Sequence, residues 1–498
     1  MGIIKRQAIK NNLISYLAVA VGAIAQLVLY PEDLELKGYA DAVIKWVFLL
    51  GIFGSFGVQI VIVRFLPYLK GDRRTAAQQL VNRALVLVSL NVATLSLANL
   101  LYGQAAAEYL IGQGYDIGLL ATDRWKIISL LASLVYSMVL TAHLSNNHRI
   151  AIPALFNSLL PKFLLPVLFG LAIYGYLSTN GFIWSFVGMY WLATLSLVVY
   201  AIVLGVFRPV WGRLKFKQQG VRDMVSLSAY SIFGGIGSAL ATHLDVVMIN
   251  TYIGNYDTAV YTFAIFVVGV MMIPYAAINT ISAPLVAKAW EQRDTEQLRF
   301  LYKETATVLF LAGGVIYSGA VVCLPAVYEL TGKTSQLALG YTAAILLGGG
   351  QLFDQLTSIN SLLITFTDSY RWGVVFSLVL GGVNLVLNYV FIVTLGMGIT
   401  GAALATMLSL IMYNVVKMIF VYSRLGIHPL SRSVGYTALV ILVVCGLGVW
   451  IPRTEFAWLD VVIRGGFVSL SFLAYLNFTN GVPAFRAVLK GGIKNLFR

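Results

Sequence analysis

Between Arg371 and Arg424 the chain reads WGVVFSLVLGGVNLVLNYVFIVTLGMGITGAALATMLSLIMYNVVKMIFVYS, roughly fifty residues in which Lys417 is the one charge. A helix that crosses a bilayer needs about 20 mostly apolar residues, so this stretch holds two spans, near 372–395 and 399–423. The same reading carried outward places further spans near 11–30, 40–66, 82–103, 124–145, 151–176, 182–207, 226–252, 258–283, 304–327, 338–366, 433–451 and 460–480. Composition agrees: of 498 residues 59% are hydrophobic and 11% charged, with a mean hydropathy of +0.84, whereas soluble domains average about 25% charged. The expected fold is an all-α polytopic membrane protein of about fourteen transmembrane helices. The apolar run after Lys5, Arg6 and Lys10 is too long for a cleaved signal and reads as the first span.

The net charge of +14 would suggest nucleic acid in a soluble protein. Here the basic residues collect in short stretches between apolar runs, as the positive-inside rule requires, and no nucleic-acid partner is implied. An even span count puts both termini on one side. Twenty-three Lys and Arg then face the cytoplasm against five outward (Lys37, Arg124, Lys126, Lys333 and Arg453), which sets both termini cytoplasmic. Residues 208–225 form the most basic inward stretch and read as a linker. Weak self-similarity at an offset of roughly 215 to 220 residues joins Leu13-Ile-Ser-Tyr16 to Leu227-Ser-Ala-Tyr230 and Pro67 to Pro284. The expected organisation is therefore an N-lobe at 1–207, the linker 208–225, a C-lobe at 226–424 related to the first by a parallel repeat of six helices, and two extra C-terminal helices with a basic tail at 425–498.

Polar residues at helical spacing inside spans carry the chemistry, because a polar group in hydrocarbon must face protein or water. The seventh span aligns Ser228, Ser231, Gly235, Ser238, Thr242 and Asp245 on one face; the tenth aligns Gln351, Asp354, Ser358, Ser361 and Thr365; the second aligns Asp41, Lys45, Ser55 and Gln59. Intramembrane acids are functional candidates by default, so Asp245 and Asp354 are expected to line a hydrated cavity. Asp41 and Lys45, one turn apart, read equally as an ion pair near the interface. Ser129, Ser133, Ser137, Thr141 and Ser145 repeat strictly by four and read as helix-packing glue at least as readily as a cavity wall. Lys162 stands between Pro161 and Pro166 within the fifth span, where proline-freed carbonyls suit a cavity wall. Arg64, Arg83 and Lys417 fall near cytoplasmic span ends, where snorkelling competes with contact to an anionic head group. His243, two residues from Asp245 and on another face, reads as a satisfied buried histidine. Cys323 and Cys445 read as buried thiols.

Catalytic motifs are absent. Gly332-Lys333-Thr334 imitates the end of a Walker A loop, but Val327 stands where its first glycine belongs. No metal motif occurs, no resident cofactor is implied, and no outer loop is long enough for a catalytic domain.

Asn384-x-x-x-Asn388 followed by Gly398-Ile-Thr-Gly401-Ala-Ala-Leu-Ala-Thr406, with Asp245-Val-Val-Met-Ile-Asn-Thr-Tyr-Ile-Gly254 and Gly51-Ile-Phe-Gly-Ser-Phe-Gly57 before Arg64-Phe-Leu-Pro67, resembles the polysaccharide transporter family. That family lies within the multidrug, oligosaccharidyl-lipid and polysaccharide flippase superfamily. The resemblance implies two six-helix lobes around a central cavity, alternating access, and a polyprenyl-pyrophosphate-linked oligosaccharide, an O-antigen or exopolysaccharide unit, as cargo in the bacterial inner membrane. It implies that Lys45, Lys162, Arg64 and Lys417 attract the pyrophosphate. Asp245 and Asp354, with Asp41, Gln59 and Gln351 in the cavity, would then serve coupling to Na+, H+ or the membrane potential. Polysaccharide assembly proteins are the implied partners. The first span, with Asn12, Ser15, Gly22 and Gln26 on its polar face and no arginine there, disfavours the peptidoglycan branch. A cation-coupled multidrug exporter of the same superfamily is the nearest alternative; a membrane-embedded glycan polymerase or ligase is the alternative from another class.

Overall fold

The computed structural model describes residues 14, 17–66, 69, 72–112, 118–147, 149–212, 220–332, 334–367 and 369–478. The expectations for Lys5, Arg6, Lys10, Asn12, Ser15, Lys215, Lys217, Lys333 and the basic tail lie outside them. Described secondary structure is helical apart from one isolated bridge residue, Leu69, and the expected all-α class holds. The helices are α1 (Leu17–Glu32), α2 (Leu34–Ser55), α3 (Val58–Phe65), α4 (Arg73–Gly112), α5 (Gly118–Asn146), α6 (Ala151–Ile173), α7 (Thr179–Val203), α8 (Val221–Tyr252), α9 (Asn255–Gly269) and α10 (Met272–Glu291). There follow α11 (Thr295–Leu330), α12 (Thr334–Thr357), α13 (Asn360–Phe366), α14 (Tyr370–Asn388, continued by a π-turn Tyr389–Thr394), α15 (Gly398–Leu425), α16 (Arg432–Val449) and α17 (Ala457–Phe478).

Among the described residues ten helices are long and apolar enough to cross a membrane, or twelve if the bent pairs α2–α3 and α9–α10 each count as one span. The fourteen expected are not reached on this measure. The described part of the stretch expected as the first span forms the shorter apolar helix α1, and the one expected as the tenth is interrupted at Ser358, whose φ of 51° is left-handed. Lipid-facing surface is apolar, with Leu100, Leu442 and Trp450 exposed. At 1.5 Å per residue the 40 residues of α4 span about 60 Å, twice the roughly 30 Å hydrocarbon core.

The chain divides into two compact units, Met1–Ala259 and Val260–Arg498. That division falls one span beyond the basic 208–225 stretch, because α8 packs on α2. In the first unit, Val43, Val47, Val81, Leu130, Val135 and Val139 form the core. An aromatic series extends it, from Tyr30 to Phe169 (ring centroids 5.0 Å), Phe182 (6.1 Å), Phe186 (6.3 Å) and Tyr190 (5.3 Å). In the second unit α12 packs on α11 and α15, and α16 and α17 both lie on α11. Arg464 fastens that last pair: its guanidinium pairs with Asp460 at 3.0 Å and donates to the carbonyls of Gly448 (3.1 Å) and Ile451 (2.7 Å).

Helix starts follow local sequence. Asp33, Ser178, Asp294 and Ser431 each accept an amide of the first turn. Asp72 caps α4 through the amide and hydroxyl of Thr75, which hold its carboxyl below the usual carboxylate range.

The break between α2 and α3 organises the first unit. Phe56 (φ 49°) and Gly57 (φ 65°) are both left-handed, and the two helices bend by 53°. Carbonyls freed inside a membrane must be satisfied by neighbouring side chains. Asn91 on α4 donates to Phe53 O (2.7 Å) and Gly54 O (2.9 Å), and Ser228 on α8 donates to Phe56 O. Asn146 of α5 donates to Ile62 O at 2.9 Å. Close approach fixes two glycines: a Cβ on Gly57 would sit 2.8 Å from Ser231 Cβ, and one on Gly38 would sit 1.7 Å from the backbone oxygen of Asn255.

Gly38→Ala and Gly57→Ala are expected to lower thermal stability in detergent, Gly57→Ala by about 1–3 kcal/mol for its forced left-handed residue and Gly38→Ala by more. Gly382→Ala, with nothing within 4 Å of the added atom, is expected to be neutral or slightly stabilising. Equal melting temperatures for all three would contradict the packing described.

Candidate functional site

The first turns of α2 carry Lys37, Asp41 and Lys45 at four-residue spacing, so all three share one face. Lys37, expected in an outward loop, is only 4% exposed, because α2 begins at Leu34 and takes it into the helix. It pairs with Asp41 and lies 4.9 Å from the centroid of the Tyr30 ring. Lys45, expected as the partner of Asp41, turns its Nζ to 3.4 Å from His243 Nδ1 on α8. An ammonium has no lone pair, so Nδ1 accepts and the ring proton belongs on Nε2. His243 also stacks on Phe48 of α2, centroids 5.2 Å apart. It is thus the residue that joins α8 to the lysine face, a role its position two residues from Asp245 did not reveal.

Asp245 is 3% exposed and its Oδ1 accepts from the Val246 amide at 2.9 Å. Lys45 lies within Coulombic reach of Asp245, Asp41 and Lys37; Lys162 on α6 lies within reach of Lys37, Asp41 and Lys45. The fold therefore gathers three lysines with two aspartates inside one unit. Of the residues expected from sequence, Lys45, Lys162, Asp41 and Asp245 come together; Lys37 and His243 are additions. A second buried pair lies beside them: Asp123 accepts from Tyr39 and Lys126, and Lys126 reaches Asn180 Oδ1 at 2.6 Å. Lys126, placed by the sequence reading at the outward end of the fourth span, is buried in the protein.

Next to the cluster is a cavity of about 650 Å³, lined by Phe48, Gln59, Arg64, Ser137, Thr141 and Asn157 among others, within the 300–1,000 Å³ typical of ligand sites. Phe48, whose ring stacks on His243, and Tyr190, within Coulombic reach of Asp41, connect it to the lysines. The strict-by-four stripe on α5 serves both its readings. Ser129 accepts from Trp191 Nε1 (3.0 Å) and Ser133 bonds Thr194 (3.0 Å), fastening α7. Ser137, Thr141 and Ser145 line the cavity. Asn157 accepts from Ser137 (2.7 Å) and donates to Thr141 (3.0 Å). It sits at the centre of the π-turn Leu155–Leu159, an irregularity common at functional sites and not readable from apolar periodicity. The Gln59 carbonyl is buried without a partner, while Arg64 is exposed on the cavity wall.

The second unit holds its own polar network, built on α12, α13 and α15. Asn414 is the hub: it donates to Asp354 Oδ1 at 2.8 Å, and its Oδ1 accepts from Thr357 (3.0 Å), Asn360 (3.3 Å) and Lys417 (3.4 Å). Gln351 donates to Asp354 Oδ2 at 3.3 Å. Lys417 is 2% exposed, donates to Ser361 at 2.7 Å and sits 4.0 Å above the Tyr413 ring. It does not snorkel, since its stem is enclosed. The tenth-span stripe is thus partly absorbed, through Gln351, Asp354 and Ser361. Asn414 was missed, although its place three residues before Lys417 puts both on one helix face. The motif asparagines form a separate knot: Asn384 donates to Thr406 (3.2 Å) and Asn388 to Asn384 Oδ1 (3.0 Å), joining α14 to α15. Among the described residues no group of three His, Cys, Asp or Glu could hold a metal ion.

Comparison with known proteins adds likenesses of sequence and of fold. Residues 124–330 match the family model described as polysaccharide biosynthesis protein. Over 258 residues the chain is 20% identical to the probable low-salt glycan biosynthesis flippase Agl15 of Haloferax volcanii, covering 50% of this chain and 54% of that protein. The chain thus matches about half the length of that curated relative. Among solved structures it is similar to the lipid II flippase MurJ in an inward closed conformation, with a TM-score of 0.72, 15% identity, and 94% and 98% of the two chains covered. It is also similar to an inward-facing multidrug resistance transporter of the MATE family, with a TM-score of 0.64, 15% identity and 83% and 94% covered. At 15% identity these two likenesses show a shared fold. The resemblance to the polysaccharide transporters read from the sequence is borne out. The matched relatives are named as flippases and transporters, not as enzymes.

Lys417→Met is expected to destabilise the second unit by about 3 kcal/mol, because Asp354 then lacks its nearby counter-charge. Asp354→Asn combined with Lys417→Met is expected to recover most of that loss. Thermal unfolding of the two purified variants checks this; an equally unstable double variant would contradict it.

Proposed function

We propose that this protein is a flippase that moves a polyprenyl-pyrophosphate-linked oligosaccharide, an O-antigen or exopolysaccharide repeat unit, from the cytoplasmic to the outer leaflet by alternating access. The observation that carries the reading is the cluster of Lys37, Lys45 and Lys162 against Asp41 and Asp245, beside a 650 Å³ cavity whose mostly apolar wall carries several hydroxyls and amides. Three cations against two anions leave an excess positive charge that a pyrophosphate neutralises, and in a low-dielectric surround that attraction far exceeds its value in water. The hydroxyl and amide groups of Ser137, Thr141, Ser145, Asn157 and Gln59 suit a sugar's alternating donors and acceptors. Arg64, exposed on the cavity wall, would meet the head group early.

Lys417 and Asp354 already satisfy each other through Asn414, which favours a coupling role over direct substrate contact for Lys417. Asp245 and Asp354 are the carboxylates that would take or release a coupling ion, Na+ or H+, or respond to the membrane potential. Lobes at 1–207 and 226–424 would be the moving bodies, with 208–225 between them and 425–498 as the added helices and tail. The charge asymmetry of the loops supports an inner-membrane protein with both termini cytoplasmic. Polysaccharide assembly proteins would supply and remove the cargo. The multidrug-exporter reading has the shared fold in its favour; the match of residues 124–330 to a polysaccharide biosynthesis family supports the glycan reading instead.

In a strain lacking the protein, lipid-linked oligosaccharide is expected to accumulate on the inner leaflet. Lys45→Met and Lys162→Met are each expected to restore about a tenth or less of wild-type transport, the order of one lost charge-assisted contact, with Arg replacements retaining more. Full rescue by both Met variants, or restored drug resistance without glycan transfer, would overturn the reading.

A further inference from the structure

A separate groove of about 360 Å³ in the first unit runs between α2, α4 and α5. Its walls are apolar: Leu50 and Phe53 from α2, Leu95 and Ala106 from α4, Ile128 and Leu131 from α5. Phe53 is half-exposed and Leu97, Leu100 and Leu101 on the same stretch of α4 are exposed, so the groove lies on the lipid-facing surface. Two of its lining side chains are polar, Asn99 and Arg124, and both gather at one end. The point where a Cβ on Gly103 would stand is 2.4 Å from Asn99 Oδ1 and 3.5 Å from Arg124 Cδ. The Asn99 amide nitrogen is buried and has no acceptor. Among the described residues no carboxylate lines the groove. Gly103 lies in the last third of α4 and Arg124 in the first third of α5, so the polar end of the groove is the end at which these consecutive helices connect, while Leu95, Ile128 and Leu131 lead one to two turns away from it.

An arginine and an amide donor without an acceptor, at one end of an otherwise apolar groove, complement an amphiphile with an anionic head and an apolar tail. The buried Asn99 amide costs a lost hydrogen bond unless a ligand in the groove accepts from it. We propose that this groove is a binding site for one anionic glycerophospholipid, its phosphate held by Arg124 and Asn99 and an acyl chain lying along Leu95, Ile128 and Leu131. Charge complementarity commits the site to an anionic lipid over a zwitterionic one. The proposal stands independently of the transported cargo.

Native mass spectrometry of the full chain, purified in detergent and mixed with phosphatidylglycerol and phosphatidylcholine of equal chain length, reads the preference directly. Wild type is expected to retain one phosphatidylglycerol about fivefold over phosphatidylcholine, the order of one arginine acting on an anionic head group. Arg124→Ala should bring the two lipids to parity and Arg124→Lys should keep the preference. Ala106→Trp, which fills the groove, should reduce retention of both. An unchanged preference in Arg124→Ala, equal retention of the two lipids by wild type, or undiminished binding in a folded Ala106→Trp would overturn the proposal. Displacement of phosphatidylglycerol by an equimolar polyprenyl phosphate would assign the groove to the isoprenoid lipid and overturn it equally.

Discussion

Hydrocarbon solvates neither a peptide carbonyl nor an ammonium group, and the helix break and buried lysines of the first unit are answered by neighbouring elements. The bend at Phe56 and Gly57 shows the backbone case. It frees carbonyls that Asn91 and Ser228 take up from two other helices, so the break is held from both sides. That bend in turn aims α3, and with it Gln59 and Arg64, at the cavity. The side-chain case is the lysine face of α2, where Lys37 finds Asp41, Lys45 finds His243, and Lys162 approaches from a helix interrupted by prolines. Both cases place polar chemistry in the same unit, on the same pair of helices.

The two units solve the problem differently. In the second, Asp354, Asn414 and Lys417 close on one another with Ser361, Thr357 and Asn360 filling the remaining donors and acceptors. Such a network is self-sufficient, its donors and acceptors answered within the unit. In the first, the positive groups outnumber the negative ones and a cavity adjoins them. An unbalanced cluster beside empty volume is the arrangement expected of a site whose missing charge arrives with the cargo.

Much of this was legible in the residues. Apolar runs of membrane length gave the helices, and the intramembrane acids and lysines gave Asp41, Lys45, Lys162, Asp245, Asp354 and Lys417, since a charge in a span advertises itself. What stayed hidden depended on geometry with no periodic signature. Lys37 looked like a loop residue because the start of α2 is set by the Asp33 cap. Lys126 looked equally external, and its burial comes from Asn180 and Asp123. Asn157 reaches the cavity only through a π-turn, and Asn414 becomes a hub only when three helices meet. His243 seemed to point away from Asp245; it faces Lys45 from α8, a relation between segments about two hundred residues apart in sequence. Ser358, part of a regular stripe on paper, breaks the helix it was assigned to.

The central claim is that water and an anionic head group can reach the lysine cluster from inside the protein. Replacing Cys323 and Cys445 by Ala, then placing a single cysteine at position 45 or 162, allows a membrane-impermeant thiol reagent to read that access. The account predicts that both positions are modified in membrane vesicles and that added lipid-linked oligosaccharide slows the reaction at each. Cysteines that stay unmodified from either face of the membrane, with or without the cargo, would contradict it.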